Sequence, residues 1–288
     1  MTGLFEVLEM AVPVATVVFV VSSMISMGLG LKIAQLAAPL KNPRLVTMSV
    51  LVNFVAVPAG AIGITRILRL DEPFSIGLLL LGVAAGAPFL PKLAEIAHGN
   101  LAFAVALMVL LMIVTVGYVP LVLPLLLPGV SVDPARIARS LVLLMLLPLA
   151  IALGINAKRP AIAARTKPLF DRLSSLGLVL VVVLLIVVNF SKVLSVFGTR
   201  AILAGLLFIA LGYAVGWAAG GPGADNRVVL GLGTAQRNIA AALVVGGQSF
   251  SDPGVVVMVV VVAIASLLAL LPLSRFLAGR RQSPEVTT

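Results

Sequence analysis

Gly231-Leu-Gly233-Thr-Ala-Gln236-Arg237-Asn238 sets glycines, polar residues and an arginine inside a stretch that is otherwise apolar between Val228 and Gly246. Earlier in the chain, Gly82-Val-Ala-Ala-Gly86-Ala-Pro88-Phe-Leu-Pro91-Lys92 interrupts another apolar stretch with prolines and a lysine. A cation at mid-depth in a bilayer costs roughly 2.5–3.5 kcal/mol even on lenient insertion scales, so one that is kept there has a use. Two glycine- or proline-broken apolar segments in corresponding halves of a chain are the sequence mark of a binding site at the membrane midplane.

The surroundings support a lipid setting. The chain has 288 residues, 61% of them hydrophobic and 10% charged, with mean hydropathy +1.23. Those values exclude a soluble globular protein. Apolar runs of about twenty residues recur along the whole length, which reads as a polytopic helical protein. A barrel would show short alternating strands instead. The absence of cysteine excludes disulfides and thiolate metal sites. The net charge of +10 is assigned to loops facing anionic lipid, not to nucleic acid. Met1 to Met10 carries Glu6 and Glu9 but no basic residue, so no cleaved signal peptide is expected.

Nine spans are expected, at 11–31, 44–64, 74–98, 101–127, 136–157, 173–191, 201–220, 227–246 and 254–276, with short punctuated connections such as Asp71-Glu-Pro73 and Asp252-Pro253-Gly254. With the amino terminus outside, the inner loops hold Lys32, Lys41, Arg44, Lys158, Arg159, Arg165, Lys167, Arg172, Arg227, Arg275, Arg280 and Arg281. The outer loops hold Arg66, Arg69, Arg136, Arg139, Lys192 and Arg200. This two-to-one bias follows the positive-inside rule. The broken spans are the third and the eighth. An odd offset makes them cross in opposite senses, as in an inverted five-span repeat whose first member is missing.

Several residues can carry chemistry. Pro88 and Pro91 remove helical donors and free the carbonyls of Ala84 and Ala87. In lipid those carbonyls need protein or water, so the break is expected to line a cavity; a packed proline kink is the other reading. Gly86, Gly231 and Gly233 are taken as helix breakers with them. Arg237 is expected beside half-helix amides, where guanidinium and helix amino terminus together favour an anion. The competing reading pairs Arg237 structurally with Glu95. Lys92 stands three residues before Glu95, so an ion pair and a substrate contact are both open. Gln236, Asn238 and Asn53 are polar side chains in apolar context, fit for a ligand or for interhelical hydrogen bonds. Gly212-Tyr-Ala-Val-Gly216-Trp-Ala-Ala-Gly220 reads as a close-packing face, and His98-Gly99-Asn100 as a turn. No metal-ligand cluster, nucleotide loop or nucleophile–base pair is visible, so an enzyme is not expected.

Three stretches carry a family resemblance: Ser26-Met-Gly28-Leu-Gly30-Leu31, the segment from Gly82 through Gly99-Asn100-Leu-Ala-Phe-Ala104, and Gly231 through Asn238-Ile-Ala-Ala-Ala242. On these the chain resembles the bile acid:sodium symporter family over nearly its whole length. The resemblance implies inverted five-helix repeats, two crossing discontinuous helices, and an organic carboxylate or bile acid bound between a core and a panel domain. It also implies departures. A Ser-Asn pair of sodium-coupled members aligns with Leu90 and Pro91, and hydroxyls of the next helix align with Ala104 and Met108. A glutamate of the second crossing aligns with Gly233, and the glutamine before the asparagine is Arg237. Asn238 keeps the pattern, as does Asn53 in place of a glutamine.

The expected protein is thus an all-α, nine-helix, multi-pass membrane transporter lacking the first helix of its inverted repeats. It forms a single domain over 1–288, with core 44–127 and 199–277, panel 10–40 and 134–192, and a disordered tail at 282–288. It would sit in the inner (plasma) membrane, amino terminus outside and carboxyl terminus cytoplasmic, and move a small organic anion by alternating access. Its partners would be that anion and lipid, with no nucleic acid. No cofactor is expected apart from a sodium ion, whose usual ligands are replaced here. A sodium- or proton-coupled symporter using backbone ligands, and a membrane anion sensor that transports nothing, stay open. Arg237 and Lys92 are expected where sodium sits in relatives, as its substitutes, as substrate contacts, or both.

Overall fold

Pro43, Pro134 and Pro253 each stand at or just inside the start of a long apolar helix, where a missing N–H costs nothing. The computed structural model describes residues 2–31, 42–127, 133–188 and 190–282, all of the regular structure among them being helical. Lys32, Lys41, Pro128-Gly129 and the tail at 283–288 lie outside the described residues. In chain order the helices are α1 (Thr2–Gly30), α2 (Pro43–Leu68), α3 (Glu72–Val83), α4 (Leu90–Ile96), α5 (Leu101–Leu126) and α6 (Pro134–Lys158). They continue as α7 (Pro160–Val188), α8 (Phe190–Phe197), α9 (Ala201–Ala219), α10 (Ala224–Ala235), α11 (Ile239–Ser249) and α12 (Pro253–Gln282). Local chemistry sets the starts. Asn42 and Asp133 cap α2 and α6 through side-chain oxygens accepting from Leu45 N and from Ala135 and Arg136 N.

Eight helical segments among the described residues are long and apolar enough to cross a membrane, and the protein is a multi-pass membrane protein. The stretch expected at 74–98 is not one of them, because it is split: α3 has 12 residues, α4 has 7, and the chain between them is not helical. The first span lies at Met10–Gly30, within one residue of the expected 11–31, and its helix extends back to Thr2. Leu121, Leu125 and Leu268 are more than 70% exposed, the expected state of a surface solvated by acyl chains.

α1 packs chiefly against α7 and α6, with Gly177 against the backbone of Phe19. α3 packs on α12, and α9 on α10. The α9 face read as close-packing does that: an added Cβ on Gly216 would stand 2.5 Å from Leu230 O, and one on Gly212 3.0 Å from Thr234 O. α11 rests on α1 and the start of α6, where the Ser140 hydroxyl donates to Gln248 Oε1. Two helices carry a π turn, Val52–Ala56 in α2 and Val142–Leu146 in α6, each shortly before a proline.

Candidate functional site

α3 ends at Val83, and the chain runs non-helically to α4 at Leu90; α10 ends at Ala235, and α11 begins at Ile239. The two gaps meet. Asn238 N–H donates to Ala84 O at 3.0 Å, and its Nδ2 donates to Gly86 O at 3.1 Å and Ala85 O at 3.3 Å. Its Oδ1 accepts from Ala241 N and caps α11. One side chain therefore starts a helix and fastens the opposite break.

Arg237 is 2% exposed and directs all five N–H groups at protein oxygens. Nε donates to Leu81 O at 2.8 Å, and Nη2 to Gly82 O at 2.7 Å and Asn53 O at 3.4 Å. Nη1 donates to Asn53 Oδ1 at 2.7 Å and Thr234 O at 3.3 Å. No carboxylate among the described residues takes part. Leu81 and Gly82 are in the last turn of α3, and Thr234 is in the last turn of α10. Each helix carboxyl end carries about half a negative charge, so two of them together offset one guanidinium. This corrects the expectation of an amino-terminal setting: Arg237 sits on two carboxyl ends, and neither Glu95 nor a substrate is needed to balance it.

The π turn prepares Asn53. Val57 N–H reaches back to Val52 O, and Pro58 has no N–H, so the carbonyls of Asn53 and Phe54 lose their ordinary helical donors. Arg237 takes the first and the Tyr118 hydroxyl the second. Asn53 Nδ2 donates to Ser49 O and to Thr234 Oγ1. Thr115 of α5 fastens the first break from another side, its hydroxyl accepting from Ala85 N at 2.9 Å and donating to Ala85 O at 3.0 Å. Sequence reasoning misses Thr115 and Tyr118. Their signal is slight: a hydroxyl and a phenol in a 26-residue helix otherwise almost wholly apolar. Thr115→Val keeps the shape but leaves a buried N–H and C=O without this partner. We expect a loss of about 1–3 kcal/mol, read as a lower melting temperature in detergent.

Other expectations are corrected. Gly231 and Gly233 do not break the helix; both lie inside α10, where the lack of a Cβ admits Tyr213 and the Leu90 and Leu107 side chains. Pro91 lies in the first turn of α4, where proline starts a helix instead of stopping one. Gly86, at φ +81, and Pro88 do lie in the break. The two carbonyls expected to be freed at the break have protein donors: Ala84 O accepts from Asn238 N, and Ala87 O from Leu90 N. A groove of about 410 Å³ among α1, α6 and α7, lined by Ile25, Leu29, Ile151 and Phe170, and a cavity of about 240 Å³ at Arg69 and Arg200 both lie elsewhere. Lys92 is exposed and pairs with Glu95 at 2.8 Å, making no hydrogen bond to Arg237. Gln236 is 2% exposed, and its Oε1 has no hydrogen-bond partner among the described residues. Among the described residues no group of three or more His, Cys, Asp or Glu could hold a metal ion.

Comparison with known proteins decides the family. Residues 17–196 match the model of the Sodium Bile acid symporter family. The chain belongs to that family. It is a family of transporters, not enzymes, and this member joins its two broken helices through Arg237 and Asn238. Among curated proteins it is similar to "Probable sodium/metabolite cotransporter BASS3, chloroplastic" of Oryza sativa subsp. japonica, 25% identical over 67% of this chain and 46% of that protein. The like-named protein of Arabidopsis thaliana is 22% identical over 67% of this chain and 45% of its own length. The chain thus spans somewhat under half the length of the curated relatives it matches.

Proposed function

We propose that this family member is a secondary transporter that carries a small organic anion across the inner (plasma) membrane by rocking a core against a panel. The observation that carries the reading is the interlocked pair of broken helices at Arg237 and Asn238, the arrangement around which such carriers move. Family membership and the relatives' printed name, sodium/metabolite cotransporter, support it. The core is α2–α5 with α9–α12, and the panel is α1, α6 and α7. The packing of α1 on α6 and α7, and of α3 on α12, supports that division. The similar breaks α3/α4 and α10/α11 support inverted repeats. The charge bias of the loops supports an amino terminus outside.

Within the crossing, Arg237, Asn238 and Asn53 hold the frame. Gln236 is the polar side chain with hydrogen-bonding capacity left over, so it is the residue to meet the substrate. Its Oε1 accepts from a substrate hydroxyl, and turning the amide presents its NH₂ to a carboxylate. Anion selectivity is aided by the field of the α11 amino terminus.

The test is uptake of radiolabelled 2-oxo acids and a bile acid into proteoliposomes. Saturable uptake is expected, and Gln236→Leu is expected to raise KM about 3- to 10-fold, the worth of one neutral hydrogen bond. Melting would hardly change, because an orphan polar atom is removed. Ligand binding with no flux in the parent would defeat the transporter reading in favour of a membrane anion sensor.

A further inference from the structure

We infer that Arg237 is a built-in cation that occupies the ion position of the crossing, so that this protein assembles its two broken helices without sodium. The inference bears on the ion coupling of the proposed carrier, but its geometry and its test are independent of transport.

An alkali ion enters a protein by exchanging its water shell for oxygens, often backbone carbonyls. The oxygens gathered here are of that kind: Leu81 O, Gly82 O, Asn53 O, Asn53 Oδ1 and Thr234 O, drawn from α3, α2 and the end of α10. They converge on one centre, and the centre is a guanidinium. Since each N–H already has an acceptor, a second cation at this place would have to displace a covalently tethered one and lie against it.

The backbone oxygens of the first break are likewise engaged. Around the first break, Ala84 O, Ala85 O and Gly86 O accept from Asn238, and Ala85 O also accepts from Thr115. On the other side of α10, Gly233 faces hydrocarbon. A Cβ added there would stand 2.8 Å from Leu90 and 3.2 Å from Leu107, and Leu90, Ala104 and Met108 are buried to within 1%. Apolar side chains therefore fill the positions at which the resemblance implies hydroxyl and carboxylate ligands. The cage of carbonyls holds a resident cation, and the aligned ligand positions beside it are closed by alkyl groups.

The experiment compares melting of the purified parent protein in sodium chloride and choline chloride at equal ionic strength, alongside Arg237→Ala. Equal parent melting in both salts is expected, whereas a saturable rise specific to sodium would overturn the inference. Arg237→Ala is expected to melt lower and to recover part of the loss in low-millimolar guanidinium chloride, which refills the vacated centre. An alanine variant that melts like the parent would also overturn it. Should that variant not accumulate, the parent comparison alone decides. No flux is measured, so a protein that binds without carrying answers in the same way.

Discussion

Arg237→Met is expected to be among the most damaging single changes in this protein, lowering stability by about 3–5 kcal/mol, the combined cost of the buried acceptors it leaves without donors. Methionine keeps an unbranched stem but ends short of the guanidinium position and donates nothing. Leu81 O, Gly82 O and Asn53 Oδ1, which now receive hydrogen bonds of 2.7–2.8 Å, would be left at the centre of the bundle. Orphaned buried acceptors cost about 1–3 kcal/mol each. The two helix carboxyl ends would then face one another with no cation between them. Set against a typical stability of about 5–15 kcal/mol, the loss threatens accumulation of the folded protein, and melting in detergent is expected to fall by on the order of 10 °C. Arg237→Lys restores the charge but has three donors for five acceptors, so it is expected to fall between the two. Parent-like melting of the methionine variant would mean that those carbonyls have found other donors, and that the guanidinium is not what joins the breaks.

Gly86→Ala is expected to be comparably severe for a purely steric reason. Gly86 has φ +81, and an added Cβ would stand 2.3 Å from Met112 N, 2.7 Å from Met108 O and 2.7 Å from Met112 Cα. All three are backbone atoms of α5, so no side chain can swing aside. The left-handed conformation costs about 1–2 kcal/mol for a residue bearing a Cβ, and overpacking about 1–3 kcal/mol more. Either the first break shifts away from α5, pulling Ala85 from Thr115 and Gly86 O from Asn238, or α5 itself moves. The matched control is Gly63→Ala in α2, where a new Cβ meets nothing within 4 Å. Replacing a helical glycine there is expected to be neutral or to stabilise by up to about 1 kcal/mol. A Gly86→Ala protein that melts with the Gly63→Ala control would refute the close approach of break and helix.

The long helices and the two interruptions are readable because lipid leaves few choices: apolar runs must be helical, and charged breaks must be protected. What the sequence does not separate are uses that require the same residue type. A missing Cβ serves a bend at Gly86 but close packing at Gly231 and Gly233. A missing N–H stops the helical pattern at Pro88 but starts α4 at Pro91. Lys92 and Arg237 look alike as cations in broken stretches, yet Lys92 has Glu95 within one helical turn and an exposed position. Arg237 has no nearby carboxylate in sequence, and its acceptors are backbone oxygens, which no residue code spells out. Asn53 is visible as a polar residue before a proline. The widening of α2 that frees its carbonyl is a backbone event and leaves no letter behind.

That widening has a bearing on how the chain is compared with others. The π turn at Val52–Ala56 takes up one residue more than an α-turn would, and it rotates the second half of α2 by about 100° relative to the first half. Residues 43–51 and 57–68 consequently belong to two helical wheels, not one. In a homologue whose corresponding helix is uniformly α, the lipid-facing stripe would slip by one position at this point. An alignment scored on hydrophobic periodicity would open a gap there although the crossing on either side still corresponds.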